Sequence, residues 1–90
     1  MTKAELVNAI AISTGYDKTT ISNIVEAGMA NIKETVTAGD SIYLRGFGSF
    51  TAKTRKAKIA RNISKNISIE VPEHKIPYFK PADEFNNMVR

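Results

Sequence analysis

Apolar residues recur at three- and four-residue steps through residues 1–40 and at two-residue steps after them, which divides the chain into a helical part and a strand part. Thr2 followed by Glu5 reads as a capping box, and Leu6, Val7, Ile10 and Ala11 line one face of the helix it opens. Gly15 is a stop for that helix. Asp17 or Thr19 can cap a second one, whose apolar face carries Ile21, Ile24, Val25, Gly28, Met29, Ile32 and Val36 and which ends at Gly39. That stripe is broad for so short a chain, which predicts a core shared with a second copy.

From Ser41 the pattern alternates, with Ile42 and Leu44 pointing one way and Ser41 and Tyr43 the other. Gly46-Phe47-Gly48-Ser49-Phe50 follows; it predicts a tight turn between strands with two apolar anchors, because no helix opens after it as a dinucleotide loop would require. Residues 51–60 and 67–76 read as the two strands of a long hairpin, with Ile67, Ile69 and Val71 alternating against Ser68 and Glu70. The intervening Arg61-Asn62-Ile63-Ser64-Lys65-Asn66 is rich in turn formers. Pro72 cannot donate to a ladder, so its strand needs a free edge there. Ten residues of strand reach roughly 30 Å. Lys80-Pro81 then leads into a short closing helix, with Pro81 in its first turn and Phe85, Met88 and Val89 as its apolar contacts.

Charge sharpens this division. The net charge is +4, but residues 1–40 hold three bases and five acids while residues 41–90 hold ten and four. No acid stands between Asp40 and Glu70, where Arg45, Lys53, Arg55, Lys56, Lys58, Arg61 and Lys65 fall. A one-sign stretch of this length predicts a polyanionic partner. Other classes are poorly supported. There is no cysteine, hence no disulfide or thiolate metal site; no apolar run is long enough for a membrane span or a secretory signal. A cytoplasmic location is the expectation. His74 is the sole histidine, and the carboxylates are scattered without an acid–base pair, a P-loop or metal spacing, so neither catalysis, a cofactor nor a small-molecule substrate is expected. An RNA-binding module shares the basic charge, but it usually stacks bases on exposed aromatics, and the basic hairpin contains none.

Taken together, two helices, Gly46 to Phe50, a basic hairpin with Arg61-Asn62 near its tip, and Pro77-Tyr78-Phe79-Lys80-Pro81 before a last helix resemble the HU and integration host factor family of histone-like, nucleoid-associated proteins. The resemblance covers essentially the whole chain. Arg45 before the turn is more like an integration host factor subunit, and the end at Arg90 is more like HU. It implies a single α+β domain: a helical hairpin in residues 1–40, a three-stranded antiparallel sheet with a long protruding β-ribbon arm in 41–81 whose tip is about 59–66, and a C-terminal helix in 82–90. It implies an intertwined dimer, with itself or a paralogue, that binds duplex DNA through the minor groove, bends and compacts it, and favours bent, nicked or distorted duplexes. By position, Lys53, Arg55, Lys56, Lys58, Arg61, Asn62 and Lys65 would meet DNA along the arm. Lys3, Lys75 and Lys80 would belong to a saddle beneath the duplex, and Arg45, Gly46, Gly48 and Ser49 would lie against its backbone.

The chain departs from the family pattern where the wedge residue is concerned. Ile63 stands where the family carries a proline that intercalates at the arm tip, and isoleucine is itself a known wedge. Ala60 and Asn66 replace common glycines, and Asp83, Glu84, Asn86 and Asn87 stand in a helix that usually carries lysines. Fewer phosphate contacts are expected from that helix. A site-preferring, integration-host-factor-like subunit is the alternative to general binding.

Overall fold

The computed structural model describes the backbone of residues 1–62 and 67–90 and the side chains of residues 1–59 and 69–90. Ile63 and Lys65 therefore lie outside the described residues, as do the side chains of Arg61 and Asn62. Along the chain run α1 (Lys3–Thr14), α2 (Lys18–Thr37), β1 (Ile42–Leu44), β2 (Gly48–Arg55), β3 (Lys58–Asn62), β4 (Ile67–Val71), β5 (His74–Pro81) and α3 (Asp83–Val89). They form two units, Met1–Glu34 and Thr35–Arg90.

In the first unit, polar side chains set the helix ends. The Thr2 hydroxyl accepts the Glu5 amide at 3.2 Å and donates to the Glu5 carboxylate at 3.3 Å. Gly15 closes α1 in the left-handed conformation at φ 79°, with its N–H on the Ala11 carbonyl at 2.8 Å. Of the two residues expected to cap α2, Asp17 takes the role, accepting the amides of Thr19 and Thr20 at 3.2 and 3.0 Å and the Thr20 hydroxyl. Those bonds, the Thr20 hydroxyl foremost, hold the Asp17 carboxyl below the usual carboxylate range. Among the described residues only Val7 and Ile21 are buried apolar side chains, while Ile24 and Met29 of the α2 stripe are left 65% and 39% exposed.

In the second unit, α2 ends in a Schellman motif: the Asp40 amide reaches back to Thr35 and the Gly39 amide to Val36, with Gly39 at φ 89°. Strands β1, β2 and β5 then build a three-stranded antiparallel sheet in the order β1-β2-β5, and β3 pairs with β4 alone. From Gly48↔Pro81 to Arg55↔His74, and again from Lys58↔Val71 to Asn62↔Ile67, paired residue numbers have a constant sum. One register thus runs through both ladders. The ladder is nevertheless not continuous. It lapses at Lys56-Ala57 on one side and Pro72-Glu73 on the other, so the expected 51–60 and 67–76 strands are each two strands. Pro72 has no N–H to offer, and its carbonyl is taken locally by Nδ1 of His74 at 2.9 Å.

The strand before α3 also runs further than expected. Pro81 is the last residue of β5, paired with Gly48, rather than a residue of the helix's first turn. The Ala82 amide is held by the Phe47 carbonyl at 2.9 Å, which keeps the chain extended until Asp83. All four phenylalanines gather on one side of this sheet: Phe50 lies 4.8 Å and Phe47 5.0 Å from Phe79 between ring centroids, and Phe47 stacks on Phe85 of α3 at 5.4 Å. The cluster requires Gly48. A Cβ there would stand 2.5 Å from the Lys80 carbonyl oxygen and 2.6 Å from the Phe79 ring.

Two outcomes follow for stability. Gly48→Ala is expected to cost about 1–3 kcal/mol by overpacking, lowering the thermal midpoint by roughly 5–20 °C in a circular-dichroism melt; an unchanged midpoint would refute the close approach. Asp17→Ala should lower the midpoint at neutral pH. Because folding depresses the Asp17 carboxyl, its contribution is present above the ordinary carboxylate range and lost as pH falls through the lower folded value. Melts of the two proteins should therefore converge only in strong acid, below about pH 4.

Candidate nucleic-acid interface

The register assigns each residue of the sheet to a side. Ile42, Phe50 and Phe79 form one cross-strand row, and Leu44, Gly48 and Pro81 another, on the face that the phenylalanines fill. On the opposite face lie Tyr43, Ser49 and Lys80 in one row, then Thr51 beside Tyr78, Lys53 beside Ile76, and Arg55 beside His74. No acidic residue belongs to β1, β2 or β5, so this second face carries positive charge unopposed within the sheet.

The turn between β1 and β2 presents Arg45 at the edge of that face. The Phe47 amide donates to the Leu44 carbonyl at 3.0 Å, and Gly46 sits third in the turn at φ 80°, the conformation that a type II turn reserves for glycine. Arg45 is thereby exposed at the second position, while Phe47 enters the aromatic cluster. Arg45, Tyr43, Ser49 and Lys80 line one open groove together with Gly46, Gly48 and the acidic Asp83. The four residues expected against a DNA backbone (Arg45, Gly46, Gly48 and Ser49) are thus brought together with Lys80, one of the three expected in the saddle. Gly48 is closed off by the Lys80 carbonyl and the Phe79 ring, and the Glu84 carboxylate stands where a Gly46 side chain would be, so the positive charge of the groove comes from Arg45 and Lys80.

The remaining expected residues are distributed less simply. Lys53 and Arg55 share the face of Lys80, whereas Lys75, paired with Thr54, belongs by the pleat to the phenylalanine side, away from its supposed saddle partner Lys80. Lys56 stands in the break between ladders, and Lys58 opens β3 opposite Val71. Arg61 and Asn62 pair with Ser68 and Ile67 in the distal ladder. In the first unit, Lys3 is ion-paired with Glu26 of α2, and its hydrogen bond and charge hold the Glu26 carboxyl below the usual range. Any phosphate that takes Lys3 must compete with that carboxylate.

Two aromatics on the basic face were missed in the sequence. Tyr43 is 81% exposed and Tyr78 39%, and the Lys53 ammonium lies over the Tyr78 ring at 4.6 Å from its centroid. Inspection of the hairpin for aromatics could not reveal them, because both lie outside the arm. Counting along the register from the Asn62–Ile67 pair would have put Tyr78 on the side of Lys53.

The sequence matches the Bacterial DNA-binding protein family over residues 1–90. It is 36% identical over 90 residues to DNA-binding protein HU of Geobacillus stearothermophilus, covering all of both chains. It is 31% identical over 87 residues to integration host factor subunit alpha of Anaeromyxobacter sp. (strain Fw109-5), covering 97% of this chain and 88% of that protein. The fold superposes on an Anabaena HU–DNA cocrystal structure with a TM-score of 0.92 and 36% identity, over 99% of this chain and 97% of that one. By a match that spans its full length, this chain belongs to the bacterial DNA-binding protein family.

Proposed function

We propose that the chain is an architectural protein that binds duplex DNA through the minor groove, largely without regard to sequence, and bends and compacts it. The observation that carries this reading is the side of the β1-β2-β5 sheet that holds Arg45, Lys53, Arg55 and Lys80 without an acid, continuous in register with a two-stranded basic ribbon. A duplex offers a closely spaced double row of phosphates to such a surface. Neutralising them releases counterions, which supplies affinity without sequence information. Support comes also from the Anabaena relative, whose solved structure contains DNA.

Lys53, Arg55, Lys56, Lys58, Arg61 and Lys65 neutralise phosphates or enter the groove, with Asn62 beside them, while Arg45, Ser49, Lys80 and the two turn glycines meet the backbone. Lys3 and Lys75 act as outlying contacts, Lys3 by exchanging Glu26 for a phosphate. Ile63 supplies the wedge: unstacking one base step costs about a few kcal/mol, so duplexes already bent or nicked bind more tightly.

The working unit is a dimer. The single chain exposes 7622 Å², whereas a folded monomer of 9.9 kDa exposes about 5,200 Å². Ile24 and Met29 of α2 are among the apolar side chains left exposed. A partner that covers the α2 stripe completes the core that Val7 and Ile21 begin.

Titration of end-labelled intact and nicked duplexes across salt concentrations tests the DNA reading, with affinity and end-to-end distance recorded together. Arg61→Ala should weaken binding and reduce the salt slope by about 0.9, the share of one phosphate. Ile63→Ala should relax the bend with a smaller loss of affinity; bending equal to the parent would remove the wedge. Met29→Asp tests the dimer. It should abolish the dimer and with it the helical signal, whereas a half-exposed residue of a stable monomer would tolerate the change with a shift within about 0.5 kcal/mol.

A further inference from the structure

We infer that Tyr78 is a positioning residue for Lys53: its ring holds the ammonium over the basic side of the sheet, ready for a phosphate. This deepens the DNA-binding reading and rests on it. The two residues are diagonal neighbours across β2 and β5, since Lys53 pairs with Ile76 and Tyr78 with Thr51. At that separation long and aromatic side chains can meet, and the Lys53 Nζ is 4.6 Å from the Tyr78 centroid, within the range of a cation–π contact.

Three physical points give the contact its direction. A free lysine carries a flexible four-carbon stem, and fixing it on a phosphate costs rotamer entropy. The Tyr78 ring restrains that stem before DNA arrives, so less is lost on binding. The ring also satisfies the cation without a carboxylate. Lys3, by contrast, is held by Glu26, an anion that a phosphate must displace. A ring face attracts the ammonium weakly enough to leave its N–H groups open to a stronger acceptor, and the charge stays available for counterion release. Of the arm-side bases with described side chains, Lys53 has this aromatic support, and it stands at the root of the hairpin, two residues before the ladder lapses after Arg55.

The test is a double-mutant cycle on duplex affinity in the full chain, with a spectroscopic reporter beside it. Tyr78→Leu should weaken binding about three- to fivefold at low salt, the scale of an exposed cation–π contact, while Tyr78→Phe, which keeps the ring, should bind as the parent does. Lys53→Met should weaken binding and lower the salt slope by about 0.9. In the Lys53→Met background, Tyr78→Leu should cost nothing more. In the DNA-free protein, the Lys53 ε-methylene resonances should be shifted upfield by the ring, in the parent and in Tyr78→Phe but not in Tyr78→Leu. Equal losses from Tyr78→Leu with and without Lys53, or failure of Tyr78→Phe to restore affinity, would overturn the positioning role. So would the absence of the ring-current shift. If the parent itself bound no duplex while the shift was present, the DNA-binding reading would be at fault and the contact would stand.

Discussion

The antiparallel register that joins Gly48–Arg55 to His74–Pro81 is the constraint on which the rest of the molecule depends. A slip of one residue would turn one strand over relative to the other, putting Phe79 on the side of Lys53 and Lys80 on the side of Phe50. The register is secured at its closed end by Gly48, whose missing side chain admits the Lys80 carbonyl and the Phe79 ring at distances that no Cβ tolerates. The Phe47–Phe50–Phe79–Phe85 cluster then makes one side of the sheet apolar and leaves the other to charge. Aromatic packing and DNA recognition are therefore two consequences of one pairing.

The same register continues past the sheet into the ribbon, although the hydrogen-bonded ladder is interrupted between them. Lys56-Ala57 and Pro72-Glu73 interrupt the ladder at one level on both strands, and the His74 ring occupies the Pro72 carbonyl that the ladder leaves over. One backbone carbonyl at the break is thus satisfied locally, by a side chain two residues on. The ribbon beyond keeps its alternation while being joined to the sheet through two unpaired residues on each side. A two-stranded ribbon has little packing of its own, and binding a polyanion along its length is what its basic composition is suited to do.

Much of this was legible in the chain. The caps at Thr2 and Asp17, the stops at Gly15 and Gly39, the change of period near Ser41 and the Gly46–Phe50 turn all depend on local chemistry, and local chemistry is what a sequence displays. The break in the hairpin was half visible. Pro72 announced a missing donor, but that both strands would lapse together follows from which residue lies opposite, and opposition is a property of register. Pro81 was misplaced for the same reason, because its pairing with Gly48 and the Ala82–Phe47 bond are long-range. Lys75 and Lys80 looked equivalent as two bases near one another; five residues of strand put them on opposite sides. Alternation already set Tyr43 opposite Ile42 and Leu44, but neither it nor Tyr78 had a cross-strand neighbour until the register supplied one.

Chemical-shift mapping of the full chain during titration with a short duplex probes the sidedness of the sheet most directly. Perturbation and broadening should alternate along the strands, strong at Ser49, Lys53, Arg55, Tyr78 and Lys80 and weak at Phe50, Ala52, Phe79 and Pro77. Equal perturbation of both sets, or changes centred on α1 and α2 with the sheet silent, would contradict a duplex seated on the basic side.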